Sequence, residues 1–177
     1  MWVLGPISGA HLNPVVTLSG RLLGDARGAM PIAVCLGAQL TGAVGGCLLA
    51  NAMFGVPATI STRDRAAPGT VLAELVATAG LVLVVFALSR AGRPLLIAPA
   101  VGAYIGAAYW FTSSTGFANP AVTIGRMFSD TFAGIAPPSV PWFLGAQLLG
   151  GALGVLLVLV LYPVDRRRPS CPKPSRP

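Results

Sequence analysis

The chain is 177 residues long, with 54% apolar and only 10% charged residues. Its mean hydropathy is +0.76, so it has too little polar surface to coat a soluble globule. Five scattered carboxylates, one histidine and no Gly-rich phosphate loop or metal-ligand cluster leave no enzyme constellation and imply no cofactor.

The first predicted element is short. Asn13 is a preferred N-cap and Pro14 suits the first helical position, which predicts a helix over about Pro14 to Leu23, half the length of a membrane span. Full apolar spans follow at about Pro31 to Phe54, Thr70 to Leu88 and Leu95 to Phe111; the first contains no charge and the second only Glu74. A second half-helix, Pro120 to Phe128, starts behind Asn119, and a fourth span runs over about Trp142 to Tyr162. Residues 163–177, rich in Pro and Arg, read as a disordered basic tail. No basic start followed by an apolar run marks a cleavable signal peptide. Cys35 and Cys47, twelve apart on one span, read as small buried hydrophobes rather than a disulfide, and Cys171 as a reduced thiol of the tail.

Arg21, Arg27, Arg90, Arg93, Arg166, Arg167, Arg168, Lys173 and Arg176 fall on one side of these spans, and Arg63, Arg65 and Arg126 on the other. The positive-inside bias makes the richer side, with the C-terminus, cytoplasmic. The net charge of +7 therefore reads as topology and contact with anionic lipid headgroups, not as a nucleic-acid footprint.

Two phrases recur in the same order. His11-Leu12-Asn13-Pro14-Val15-Val16-Thr17 is followed by Leu36-Gly37-Ala38-Gln39-Leu40, and Phe117-Ala118-Asn119-Pro120-Ala121-Val122-Thr123 by Leu144-Gly145-Ala146-Gln147-Leu148. Order and spacing together indicate an internal duplication. Residues 1–54 hold a partial first repeat and 70–162 the second, within one membrane domain. A half-helix at membrane depth is tolerable only where it is packed in protein or lines a water-filled cavity. Two of them entering from opposite faces meet at the midplane, where their positive ends repel cations and the Asn carboxamides offer donors to a neutral solute. A lone Glu in a span is costly, so Glu74 is expected to be paired internally. Three glycine pairs spaced by four, Gly42/Gly46, Gly102/Gly106 and Gly150/Gly154, predict close helix approach.

These motifs, with Ser8-Gly9-Ala10 before His11, resemble the aquaporin and aquaglyceroporin channels over residues 5 to 162. The resemblance implies an all-α inverted repeat with two re-entrant half-helices and a homotetramer in the cell membrane with one pore per subunit. It implies pore-centre donors at Asn13 and Asn119, and Pro14, Val15, Pro120 and Ala121 as the caps of the half-helices. His11 becomes a pore-lining residue, Glu74 a buried carboxylate supporting the re-entrant loop, and Gln39 and Gln147 paired structural positions.

Three departures qualify this. Six spans are expected and four are legible, so the start reads as truncated. The filter positions correspond to Ala107, Gly116 and Val122, all small or apolar, where water-selective members carry a bulky polar residue and Arg. Arg126, seven residues beyond Asn119 and about 10 Å along a helix, reads as a poor replacement for that Arg. Val15 stands where the family usually has Ala, and two extra methyls at a tight contact cost about 1–3 kcal/mol unless a neighbour shrinks. The Val122 departure resembles the bacterial branch associated with arsenical resistance. The expectation is a passive channel for small uncharged solutes, such as polyols, water and arsenite as As(OH)3. The alternatives are a non-conducting membrane fragment or packing subunit, and a water-selective channel.

Overall fold

The computed structural model describes residues 5, 9–24 and 30–163, all without strands; the 163–177 tail, Cys171 and Arg27 lie outside these residues, apart from Pro163 itself. Among these described residues the helices that position the site are, in chain order, α1 Pro14–Leu22, α2 Ile32–Met53, α3 Pro68–Arg90, α4 Ile97–Phe111, α5 Pro120–Gly125 and α6 Val140–Leu161. Short 3-10 turns precede α4 (Pro94–Leu96) and α6 (Pro137–Ser139) and extend α5 (Arg126–Phe128). Four helical segments, those of α2, α3, α4 and α6, are long and apolar enough to cross a membrane, so the protein is a multi-pass membrane protein. Their outer faces carry Trp110, Leu72, Leu149 and Val160 exposed, a surface suited to hydrocarbon and not to water.

Both half-helices start as expected. Asn13 and Asn119 hold extended backbone at the N-cap, and each is followed by Pro at the first helical position. α1 buries Val15, Val16, Thr17 and Ser19, while α5 is a turn and a half followed by the 3-10 turn. Each half-helix packs on a span of the other repeat as well as its own: α1 touches α6 and α2, and α5 touches α2 and α6. This exchange locks the two repeats into one body.

Of the three glycine pairs only Gly150/Gly154 performs the expected packing. A Cβ at Gly150 would meet the Leu75 carbonyl oxygen at 2.4 Å, and one at Gly154 would meet Val82 Cβ at 2.7 Å. α6 therefore lies against the α3 backbone at Gly150 and against both the Ala79 carbonyl and the Val82 side chain at Gly154. Gly42, Gly46, Gly102 and Gly106 have nothing within reach among the described residues; Gly42 and Gly102 border cavities instead of a neighbouring helix. Close approach also occurs at Gly125, against the Ala43 carbonyl, and at Gly80, against the Tyr104 ring.

Val15 packs tightly against α6. Its Cγ1 occupies the space that a Cβ on Gly151 of α6 would need, at 2.4 Å, so the neighbour that shrinks is Gly151. Gly151→Ala is expected to lower stability by about 1–3 kcal/mol through overpacking, and Val15→Ala in the same chain to recover most of that loss. Thermal unfolding in detergent of the two single variants and the double variant measures the coupling; additive losses would rule the contact out.

Candidate functional site: the junction of the half-helices

The re-entrant loops have matching backbones. Gly9, Ala10 and Leu12 have φ of 75°, 47° and 51°, and their counterparts Thr115, Gly116 and Ala118 have 64°, 57° and 47°. Four of these six left-handed residues, Ala10, Leu12, Thr115 and Ala118, are not glycine and would be unusual singly; the repetition makes them a feature of the fold. At Gly116 the requirement is also steric, since a Cβ there would lie 2.9 Å from Ala108 Cβ.

Asn13 and Asn119 tie the loops together. Each Oδ1 accepts from its own helix, from the Val15 amide at 2.9 Å and from the Ala121 amide at 3.0 Å. Each Nδ2 donates across the junction, Asn13 to the Ala118 carbonyl at 2.7 Å and Asn119 to the Leu12 carbonyl at 3.0 Å. The carboxamides thus brace the junction as well as capping the helices, so only part of their donor capacity remains for a solute. Behind them, Thr17 and Thr123 hydroxyls each donate to the carbonyl of their Asn at 3.0 Å. Gln39 and Gln147 then donate to those same hydroxyls, at 2.9 Å and 2.8 Å. The threonines were legible as the last residue of each repeated phrase; their role depends on the glutamines reaching them from α2 and α6.

Glu74 is fully buried on α3, and its carboxylate accepts four hydrogen bonds. Oε1 takes the Ser114 hydroxyl at 2.7 Å and the Phe117 amide at 2.8 Å. Oε2 takes the Ala118 amide at 2.8 Å and Gln147 Nε2 at 2.6 Å. The expected internal pairing is therefore with the second re-entrant loop, whose backbone it holds in the left-handed turn. Ser114 had no sequence signal.

Outside the spans, the segment between α2 and α3 closes over this loop. Arg65 is buried and donates to the carbonyls of Gly134, Ser114 and Phe132. Burial, then the positive charges of Arg126 and Arg63, push its pKa below the ordinary arginine value. The Ser139 hydroxyl and the Ala66 amide hold the Asp64 carboxyl below the usual carboxylate range, and the Thr62 amide, with its hydroxyl, does the same for Asp130.

Cavities of about 470, 410 and 380 Å³ adjoin the junction, and Val122 lines all three. The third runs from His11 past Asn13, Asn119 and Gly116 to Tyr109 and Arg126. His11 and Asn119 also line the second, with Gln39 and Ala121. Ala107, the remaining predicted filter position, is exposed and lines none of these cavities. The cavity face of α4 is Ala98, Val101, Gly102, Ile105 and Tyr109, and at 100° per residue Ala107 points some 200° from Ile105 and from Tyr109. Tyr109, and not Ala107, lines the third cavity from the end of α4. Arg126, read as a poor replacement for the filter Arg, lines two of the cavities together with Val122.

A family model, Major intrinsic protein, matches residues 1–117. The chain belongs to the major intrinsic protein family. It is 45% identical over 161 residues to aquaglyceroporin AqpS of Rhizobium meliloti (strain 1021), covering 88% of this chain and 66% of that protein. It is 32% identical over 96 residues to aquaporin-5 of Ovis aries, covering 51% of this chain and 36% of the relative. The chain thus spans just under two thirds of the length of the first relative. The aquaglyceroporins of this family are channels and not enzymes, in line with the composition.

Proposed function

We propose that this major intrinsic protein forms part or all of a passive channel for small uncharged solutes of the glycerol and water size class. The observation that carries the reading is the junction. Two half-helix N-termini are held together by the reciprocal Asn13 and Asn119 bonds, beside a cavity lined from His11 to Arg126. Each N-terminus contributes roughly half a positive charge, which disfavours cations including hydronium. The remaining N–H of each carboxamide serves a passing hydroxyl. Gly116 and Val122 give this cavity small, apolar lining, which favours solutes larger than water. The resemblance to AqpS, named an aquaglyceroporin, supports polyols, and As(OH)3 falls in the same size class. Cytoplasmic placement of the Arg90 end, residence in the cell membrane and a homotetrameric assembly belong to the same proposal.

A second reading has one observation in its favour: the membrane-crossing stretch of α2 is without buried residues, so one flank of the cavities lacks cover among the described residues. A chain that only packs against longer relatives fits this. Vesicle swelling separates the readings. Proteoliposomes holding this chain are expected to swell faster than empty ones in glycerol and arsenite but not in an impermeant sugar. Equal rates for all three solutes, matching empty vesicles, would establish the non-conducting reading, and swelling with water alone the water-selective one.

A further inference from the structure

Arg126 brings a partly matched cation to the cavity surface. Its Nη2 donates to the Tyr109 hydroxyl at 2.9 Å, and its guanidinium stacks 4.2 Å from the centre of the Phe117 ring. Its Nη1 is buried and has no hydrogen-bond partner among the described residues. A buried donor left unpaired costs about 1–3 kcal/mol, so a site that keeps one beside a cavity has room for an acceptor that the described residues do not supply. Val122 and Arg126 are four residues apart on consecutive turns and line the same two cavities. Tyr109 fixes the guanidinium from α4, and Phe117, itself 5.2 Å from the Arg65 guanidinium, fixes it from the loop.

We infer that Arg126, oriented by Tyr109 and Phe117, is a specificity-determining residue of this cavity, one helical turn outward of Val122, that donates hydrogen bonds to the hydroxyl oxygens of an uncharged polyol. The inference rests on the channel reading. The planar guanidinium gives neighbouring oxygens a fixed fork of donors, while Val122 and the Tyr109 ring offer apolar surface to the carbon skeleton. Its charge adds to the barrier against cations.

Two readouts test it in the full chain. Cys47 lines the 470 Å³ cavity together with Arg126. With Cys35→Ser and Cys171→Ser leaving it as the single thiol, its reaction rates with an anionic and a cationic methanethiosulfonate are compared. Arg126→Gln is expected to lower the anionic-to-cationic ratio roughly tenfold, as removal of one nearby charge requires, whereas Arg126→Lys preserves it. In proteoliposomes, Arg126→Gln and Tyr109→Phe are each expected to reduce the protein-mediated preference for glycerol over 1,3-propanediol, Tyr109→Phe without moving the Cys47 ratio. An unchanged ratio and an unchanged preference in Arg126→Gln overturn the inference. Wild-type vesicles that fail to swell overturn the channel reading instead, and the Cys47 ratio still reports whether Arg126 sets the charge of the cavity. Should Arg126→Gln not fold, Tyr109→Phe decides the preference.

Discussion

Glu74→Gln is expected to destabilise the protein more than any other single isosteric change. The carboxylate satisfies four donors, two on each oxygen. A carboxamide keeps one acceptor oxygen and turns an NH2 group toward the other two donors, whether those are Ser114 and Phe117 or Ala118 and Gln147. Each donor orphaned in a buried site costs about 1–3 kcal/mol, and the loss would be a large fraction of the 5–15 kcal/mol that holds a typical domain together. The damage has a defined place. The Phe117 and Ala118 amides are held by the carboxylate, and the Ala118 carbonyl is the acceptor for Asn13, so a loosened loop also releases the brace at the junction. The check is thermal unfolding in detergent, alongside vesicle swelling. A midpoint equal to that of the unaltered chain would mean that Glu74 does not anchor the loop.

The second large effect is expected from Asn13→Ala. The change removes the cap on the Val15 amide, worth about 1 kcal/mol, and leaves the buried Ala118 carbonyl without the donor that Asn13 Nδ2 provides at 2.7 Å, a further 1–3 kcal/mol or so. Asn119→Ala should cost less, since Asn119 is less buried and its bond to Leu12 is longer. The two losses should not add. Once either bridge is cut the loops can part, and the second substitution then removes an interaction already weakened, giving a coupling of about 0.5–3 kcal/mol in a double-mutant cycle. Unfolding midpoints of the two single variants and the double variant supply the cycle. Strict additivity would mean that the carboxamides act only as separate helix caps.

Much of this architecture is written in local sequence. Four apolar runs of spanning length can satisfy their backbones in hydrocarbon only as helices, and the duplicated Asn-Pro phrase marks two helix starts through capping chemistry that needs no tertiary partner. The duplication itself, with Gln39 and Gln147 as matched positions, follows from the order of the repeated phrases. An internal partner for Glu74 follows from the cost of an isolated charge. The observed helices begin and end within a few residues of these expectations.

What the tertiary structure alone decided is which side of each helix faces what. α2, α3 and α6 are apolar all round, so no stripe of polar residues in the sequence records their rotation about their own axes. Close packing at Gly150 and Gly154 rather than at Gly42 and Gly46 depends on which surface meets a neighbour. The same reason keeps Ala107 off the cavity linings. Counting back from Asn119 selects Ala107, but the rotation of α4 presents Tyr109 to the cavity. Arg126 reaches the lining because α5 ends in a 3-10 turn and because Tyr109 and Phe117 draw its guanidinium inward. Capping and span length are properties of consecutive residues, whereas a lining is set by side chains that meet only after four helices have chosen their rotations.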